Sequence, residues 1–504
     1  MDWLSIVPPL LTIALALITR KIHLSLGIGL VSGMIILHHT DIYGYYTSLQ
    51  QYLSNIFLEQ ENFFLLLFTL FLGGMIKLIS DNGCLSTVIE RVKKIATSSR
   101  KVQIITYWLG IGIFFDDYAN SLIVGNTLRP ITDRYRISRE KLAYIVDSTA
   151  APITSIALIT TWIGFQVGQL EKGIAATTYS GNGYELFLSS LPYSFYAILT
   201  LIFVGLIVYS GKDYGPMLRV QQRAIKRTPQ LDESPPVAQH RISLTIALLP
   251  VVLLVSLSFT LMLFTGYWET KASLTNIGTI LSNSSPATAM MSASLIALTA
   301  AFLITITYKT LSMRSLGKSV YAGGKSMIDP LVILILAWML GDLLSDLNTA
   351  GFLLPYVDQI VNPIYFPAVI FLFSACISFS TGSSFGTMAI LYPIMIPVCW
   401  TILPDTTPEY YPILFHTTAA ILSGSVFGDH CSPIADTTIL SSLASGCDHI
   451  SHVKTQLPYA LTTGMTALSI SILTCYGLPW YISVSTGICI LFFIISVFGK
   501  RIAQ

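Results

Sequence analysis

The chain has 504 residues, of which 53% are hydrophobic and only 11% are charged, and its formal net charge at pH 7 is +2. Soluble domains carry about 25% charged residues, so the composition excludes an ordinary soluble protein. Apolar runs of roughly 20 residues, the length of a membrane-spanning helix, recur along the chain. The sequence therefore predicts an all-α polytopic membrane protein with about 11 full spans. No nucleic-acid partner is expected.

The basic residues predict the orientation of the chain. The first apolar run, residues 4–19, ends in Arg20-Lys21 without a small-residue cleavage site, so we expect a retained span. Positive loops stay in the cytoplasm, which predicts an outside N-terminus and a cytoplasmic C-terminus in a bacterial inner membrane. Twenty-five of the 28 basic residues lie in clusters at 20–21, 91–101, 129–141, 212–241, 309–325, 454 and 500–501.

Two segments are predicted to form re-entrant hairpins rather than pairs of full membrane crossings. Residues 102–128 lie between basic clusters but number only 27, whereas two crossings need about 20 residues each. We predict a re-entrant hairpin that enters and leaves from the cytoplasm. Residues 364–402 lie between loops without basic residues and can form the mirror hairpin, which enters from outside. Broken spans are predicted to follow the two hairpins, at 141–168 and 411–446.

The two predicted hairpins suggest that the chain consists of two related halves. Residues 1–211 and 242–504 form the halves, and a polar cytoplasmic linker at 212–241 joins them; two terminal spans complete the second half. Inverted repeats whose broken helices meet at the bilayer midplane are typical of secondary transporters. A weak internal alignment supports the repeat, pairing 116–125 with 379–388 and 151–155 with 432–436.

The first predicted hairpin carries adjacent carboxylates, Asp116 and Asp117, in an apolar run. Burying one carboxylate costs several kcal/mol, and adjacent ones repel each other. Such a pair is best retained where a cation or proton neutralises it, and Asn120 can add a neutral oxygen ligand. The alternative is a hairpin tip that is open to bulk water.

The first broken span repeats this plan. Asp147, Ser148 and Thr149 precede Pro152, which frees a backbone carbonyl near Ser148. The carboxylate is a candidate ion or proton carrier, and the hydroxyls are candidate substrate or ion ligands. An ordinary proline kink, with hydroxyls bonded to their own backbone, is the alternative for Ser148 and Thr149.

The stretch 423–442, in the second broken span, carries the strongest polar signal at membrane depth. Asp429 and Asp436 are candidate cation and proton carriers. Pro433 is expected to interrupt the helix, and Gly424 and Gly428 to let it bend. His430 is a candidate titrating group, with a hydrogen-bonded structural histidine as the alternative.

Hydroxyl groups accompany these carboxylates in the second half. They are candidate ligands for a substrate or an ion, while simple turn chemistry is the alternative at the hairpin tip. Those of the hairpin are Ser380, Thr381, Ser383 and Ser384, and those of the broken span are Ser432, Thr437 and Thr438.

Three long motifs resemble the NhaC-type sodium/proton antiporter family. They are F-F-D-D-Y-A-N-S-L-I-V-G-N-T-L-R-P-I-T-D at 114–133, S-R-E-K-L-A-Y-I-V-D-S-T-A-A-P at 138–152 and G-D-H-C-S-P-I-A-D-T-T-I-L-S-S at 428–442. The resemblance implies a fold of the ion-transporter superfamily, with inverted repeats, opposed hairpins and an elevator-like transport domain. It implies sodium and protons as coupling ions, and some relatives also move malate, lactate or amino acids.

These observations predict a secondary transporter that most simply exchanges Na⁺ for H⁺ by competition at the carboxylates. Sodium is assigned to Asp117, Asn120, Asp429 and Asp436. The alternative is a Na⁺- or H⁺-coupled carrier of a small organic acid or amino acid. The predicted partners are these ions and the lipid bilayer, and a homodimer stays open. No enzyme motif and no cofactor are predicted, since the seven cysteines have no metal-like spacing.

Overall fold

The computed structural model describes residues 3–19, 21–58, 60–84, 95, 97–158, 160–226, 243–270, 280, 284–347, 362–403, 407–433 and 435–501. Helices dominate this part of the chain. Those before residue 230 are α1 (Val7–Thr19), α2 (Ile22–His38), α3 (Ile42–Phe57), α4 (Gln60–Asp81), α5 (Ser99–Gly112), α6 (Asp117–Arg134), α7 (Arg139–Ile156), α8 (Thr161–Ala175), α9 (Gly183–Ser190), α10 (Phe195–Ser210) and α11 (Gly215–Lys226).

The second half is equally helical. Its helices are α12 (Leu244–Thr270), α13 (Pro286–Thr307), α14 (Met313–Ser326), α15 (Ile328–Asp346), α16 (Phe366–Thr381), α17 (Ser384–Ile402), α18 (Tyr411–Cys431), α19 (Asp436–Ser445), α20 (His449–Cys475) and α21 (Trp480–Phe498). Short 3₁₀ turns at Trp3–Ile6, Leu191–Tyr193, Pro363–Tyr365 and Pro408–Tyr410 precede four of the helices.

Several helices have the length and composition of membrane spans. Among the described residues, seven are long and apolar enough to cross a bilayer, or eight if the bent pair Gly183–Tyr193 and Phe195–Ser210 is one span. The chain is therefore a multi-pass membrane protein, and the total of about 11 spans stays a prediction.

Helices are interrupted inside each of the four ranges where hairpins or broken spans are predicted. The interruptions lie between α5 and α6 (113–116), between α7 and α8 (157–160), between α16 and α17 (382–383), and between α18 and α19 (432–435). Pro433 lies in the last of them, as expected. Pro152, in contrast, lies within α7, which continues to Ile156. The interruption at 157–160 therefore begins six residues beyond Ala151, which the internal alignment pairs with Ser432.

The two halves pack crosswise. The first helix pair is α5–α6 and the second helix pair is α16–α17. Helix α6 of the first pair lies against α19, while α17 of the second pair lies against α8. Helix α7 contacts both α6 and α19, and α18 contacts α17. A separate group of helices surrounds α4, which packs against α13 and α14, and α15 lies between α2 and α17.

Small residues bring α16 and α18 into close contact. Ser374 Oγ donates a hydrogen bond to Ile421 O at 2.7 Å, and Ser378 Oγ to Ser425 O at 2.6 Å. A Cβ added at Gly424 would overlap the carbonyl oxygen of Phe371, and at Gly428 that of Ala375. Helix α18 runs through both glycines, and they allow close helix packing; the expected bend there stays a prediction.

One short antiparallel strand pair is an exception to the all-α prediction. Strand β1 (Lys212–Asp213) pairs with β2 (Lys500–Arg501), with Lys212 opposite Arg501. Asp213 forms a buried ion pair with Lys141 of α7 and accepts a hydrogen bond from Tyr459 Oη at 2.8 Å. The start of the predicted linker 212–241 is therefore anchored to α7 and α20, and α11 follows it; residues 227–242 lie outside the described residues.

The α16–α18 contact generates a stability prediction. We expect Gly428→Ala to lower the free energy of unfolding by about 1–3 kcal/mol, because its methyl group would overlap backbone rather than a flexible side chain. Thermal unfolding of the detergent-solubilised protein measures this effect. Gly317→Ala in α14 is the matched control, since a Cβ there meets nothing within 4 Å. Equal stability of the two variants would contradict the packing argument.

Candidate functional site

The first turn of α19 holds one carboxylate from each half of the chain. Thr437 Oγ1 donates a hydrogen bond to Asp429 Oδ2 at 3.0 Å, and Thr438 Oγ1 donates to Asp147 Oδ2 at 3.2 Å. Asp429 lies in the last turn of α18, and Asp147 lies in the middle of α7 with none of its surface exposed. Two predicted carboxylates and two predicted hydroxyls thus meet at the interruption between α18 and α19.

Helix α20 supplies the remaining partners of Asp147. Gln456 Nε2 donates to Asp147 Oδ2 at 2.6 Å and to the carbonyl oxygen of His430 at 3.0 Å. His452 Nε2 lies 3.4 Å from Asp147 Oδ2. In the described part of the chain, no lysine or arginine forms an ion pair with this carboxylate. Its negative charge is therefore stabilised by uncharged donors and a histidine, and it can be neutralised by a mobile cation or proton.

The first helix pair contributes a second polar cluster. Asp117 is the first residue of α6, where the helix dipole favours a negative charge, and only 1% of its surface is exposed. The preceding residue, Asp116, is also buried. Asn120 Nδ2 donates to the carbonyl oxygens of Gly110 at 2.6 Å and Thr149 at 3.2 Å. This amide ties the first pair to α7 two residues beyond Asp147.

Three oxygen atoms of this cluster are available as ligands. Asp117 Oδ1, Asn120 Oδ1 and Ser121 Oγ are buried and have no hydrogen-bond partner among the described residues. The second carboxylate oxygen of Asp147, Oδ1, is also buried without a hydrogen-bond partner among the described residues. Carboxylate, amide and hydroxyl oxygens suit a hard cation such as Na⁺. The donor set therefore fits the predicted cation.

Trp162 connects the tips of the two helix pairs. Its indole, at the start of α8, lies close to Asp117. Its ring packs against Phe385 of α17, with 4.9 Å between the ring centroids. The tip of the second pair thus lies beside the carboxylate of the first.

In the second pair, the hydroxyls of Ser380 and Ser383 bond backbone groups of their own helices, and that of Ser384 bonds the backbone of α18. Ser383 Oγ accepts a hydrogen bond from Gly386 N at 3.1 Å and caps α17. Ser384 Oγ donates to Ser425 O at 3.2 Å, and Ser380 Oγ to Cys376 O at 2.9 Å. The side chain of Thr381 lies outside the described residues.

The other predicted residues are close to the carboxylates. Thr149 Oγ1 donates to Ile145 O at 2.7 Å, and Ser148 lies beside the Tyr144 hydroxyl. Ser432 is buried in the interruption after α18. Asp436 begins α19, but its side chain lies outside the described residues. His430 is buried, with its Nδ1 at 3.0 Å from Tyr196 Oη.

Sequence reasoning missed His452, Gln456 and Trp162. The first two are four residues apart and share one face of α20, where Tyr459 and Thr463 are also buried. This polar stripe at helical spacing in a 27-residue helix is a usable signal. Trp162 had no such signal, since a single tryptophan in an apolar helix is common.

The chain matches a known protein family. The model described as the Na⁺/H⁺ antiporter family matches residues 153–478. An uncharacterised protein of Haemophilus influenzae is 32% identical over 97% of this chain and 94% of its own length.

More distant relatives match over about a quarter of either chain. The malate-2H⁺/Na⁺-lactate antiporter of Bacillus subtilis is 29% identical over 25% of this chain and 24% of its own. The arginine/ornithine antiporter ArcD of Halobacterium salinarum is 29% identical over 27% of each.

Two solved transporters share the fold. The Alcanivorax borkumensis YdaH transporter has a TM-score of 0.62 at 13% identity, covering 88% of this chain and 91% of its own. MtrF of Neisseria gonorrhoeae, described as illuminating a class of antimetabolite efflux pumps, has a TM-score of 0.55 at 12% identity. That match covers 86% of this chain and 85% of MtrF.

The Asn120 amide generates a prediction about the site's architecture. Asn120→Asp would turn an N–H donor into an oxygen that faces carbonyl oxygens, including that of Ile113 at 3.1 Å. We expect a loss of about 1–3 kcal/mol or more per unmatched carbonyl, and therefore a low yield of folded protein. Size-exclusion profiles of detergent extracts measure it. Asn126→Asp, on the exposed side of α6, is the matched control, and equal yields would contradict the role of Asn120.

Proposed function

Because the chain belongs to the Na⁺/H⁺ antiporter family, we propose that it exchanges Na⁺ for H⁺ across the bacterial cytoplasmic membrane. The family and the transporter-like fold make it a secondary transporter rather than an enzyme.

The observation that carries this proposal is a set of buried carboxylates, of which Asp147 forms no ion pair with a lysine or arginine in the described part of the chain. Asp117, Asp147 and Asp429 come from both halves and are each at most 3% exposed. Neutral donors hold Asp147, and oxygens beside Asp117 have no partner among the described residues. A buried site with several negative charges is most stable when a cation occupies it.

We assign sodium to the oxygens of Asp117, Asn120 and Asp429, with Asp436 as the fourth predicted ligand. Asp116 adds negative charge next to the first of these. Thr438 and Gln456 orient Asp147, which we assign to the proton. When a proton binds this set of carboxylates, it removes charge that sodium needs, so occupancy by one ion disfavours the other.

The crosswise packing of the two halves supports an inverted repeat. The contact of α6 with α19 has its counterpart in the contact of α17 with α8, as a two-fold relation between the halves requires. Under this proposal the α5–α6 and α16–α17 pairs are opposed re-entrant hairpins. Together with α7, α8, α18 and α19 they move as a transport unit against the group around α4.

A second function is favoured by one particular observation. Trp162, Gln166 and Gln169 lie on the face of α8 that meets α17 through Gly173. Trp162 Nε1, Gln166 Oε1 and both side-chain polar atoms of Gln169 are buried without a hydrogen-bond partner among the described residues. These groups could bind the carboxylate or amide of a small organic acid or amino acid, which makes a sodium-coupled solute carrier the alternative.

The carboxylate assignment has a direct test. Asp117→Asn and Asp429→Asn should each reduce sodium-driven proton movement in proteoliposomes to background, because an amide keeps the shape but cannot supply a full charge. Asp81→Asn is the control, since Asp81 pairs with Lys77 at 2.7 Å on a partly exposed surface. Wild-type rates in the Asp117 and Asp429 variants would remove these residues from the mechanism.

A further inference from the structure

One buried histidine is in contact with the carboxylate that we assign to the proton. His452 and Asp147 are both fully buried, with 3.4 Å between Nε2 and Oδ2. Ser441 Oγ lies 3.3 Å from the same histidine nitrogen, and that hydroxyl already donates to Thr438 O at 3.1 Å. Both neighbours of Nε2 thus accept a hydrogen bond, which assigns the N–H of the neutral ring to Nε2.

The other ring nitrogen is where a proton can be added. His452 Nδ1 is buried and has no hydrogen-bond partner among the described residues. In the neutral ring with N–H at Nε2, Nδ1 carries a lone pair. Protonation there gives an imidazolium beside a carboxylate, and the net charge of the pair changes from −1 to zero.

One other histidine, His430 of α18, lies near the carboxylate. Its Nδ1 is 3.0 Å from Tyr196 Oη and its Nε2 has no hydrogen-bond partner among the described residues, whereas His452 is the histidine whose ring nitrogen contacts Asp147 itself. On α7, Lys141 lies within two turns of Asp147 and is paired with Asp213, and on α20 Lys454 is exposed to solvent. The titratable and charged groups around the pair are Tyr144 and Lys141 on α7, Tyr196 on α10, Asp429, His430 and Cys431 on α18, and His449 and Tyr459 on α20.

A surface cavity of about 750 Å³ lies at the ends of the same two helices. Glu140 of α7, Ser451 of α20 and Asp448, which caps α20, line it, and Ser451 Oγ donates to Glu140 Oε1 at 3.0 Å. His452 follows Ser451 directly, and Asp147 lies two helical turns from Glu140. The cavity is lined by residues of the basic segment 129–141, which is predicted to be cytoplasmic, so water can bring a proton close to the pair.

We propose that Asp147 and His452 together form the proton site of the exchange cycle, filled from the cavity beside Glu140. A proton from water in the cavity bonds to Nδ1 of His452, and the same proton returns to water after the site has changed sides. The adjacent hydroxyls of Thr437 and Thr438 hold Asp429 and Asp147 side by side, so the charge of the pair acts on the sodium ligand next to it. This inference rests on the proposed Na⁺/H⁺ exchange.

The test separates sodium movement from proton movement. His452→Gln keeps an N–H donor for Asp147 but cannot take up a proton. We expect Na⁺/H⁺ exchange in proteoliposomes to fall at least about tenfold, while ²²Na⁺/Na⁺ counterflow, which needs no proton, stays within about twofold. His416→Gln is the matched control, because His416 is also buried and, among the described residues, its hydrogen bond is to Ser471 Oγ at 2.8 Å and not to a carboxylate. Both activities should survive in that control.

Each other outcome has a defined meaning. Equal loss of exchange and counterflow in His452→Gln, or no loss of either, would overturn the proton site. If that variant does not fold, Asp147→Asn should show the same selective loss of exchange, and an equal loss of counterflow there would also overturn it. If the wild-type protein shows no sodium-dependent proton flux at all, the proposed function fails before the variants are compared.

Discussion

The main physical constraint in this structure is the burial of several carboxylates in the interior of a membrane protein. Ionised groups in a low-dielectric interior are costly unless they are paired or hydrogen-bonded. Asp147 meets this constraint with donors from three side chains on two helices: Thr438, His452 and Gln456. None of these three is a lysine or arginine, so Asp147 can lose its charge to a bound cation or proton without breaking a lysine or arginine ion pair, as the proposed exchange requires.

This constraint also explains the arrangement of the helices. Side chains supply the described donors to Asp147, because the backbone N–H and C=O groups inside a helix are already bonded. The interruption after α18 places the first turn of α19 between Asp429 and Asp147. The interruption before α6 places Asp117 at a helix N-terminus. Crosswise packing then joins the two regions, and serines and glycines let α16 and α18 approach closely enough to support them.

Much of this arrangement was predictable from the chain alone. Charge scarcity and apolar runs indicate membrane helices, and Pro433 marks the interruption after α18, since proline cannot donate to the helix ladder. The carboxylates stand out because they interrupt apolar segments. Pro152 and the two glycines were harder to interpret: each can bend a helix or simply allow close contact, and only the neighbouring backbone decides. His452 and Gln456 belong to a helix far along the chain from Asp147, so their contact with it depends on tertiary packing that no local pattern shows.

The most direct test of the account measures sodium affinity as a function of pH in proteoliposomes that contain no organic solute. If protons and sodium compete at the buried carboxylates, sodium-dependent proton flux should be robust without solute. The apparent affinity for sodium should then weaken close to tenfold per pH unit once the site is mostly protonated. A flux that is absent until an organic acid or amino acid is added, or an affinity that does not change with pH, would contradict the account.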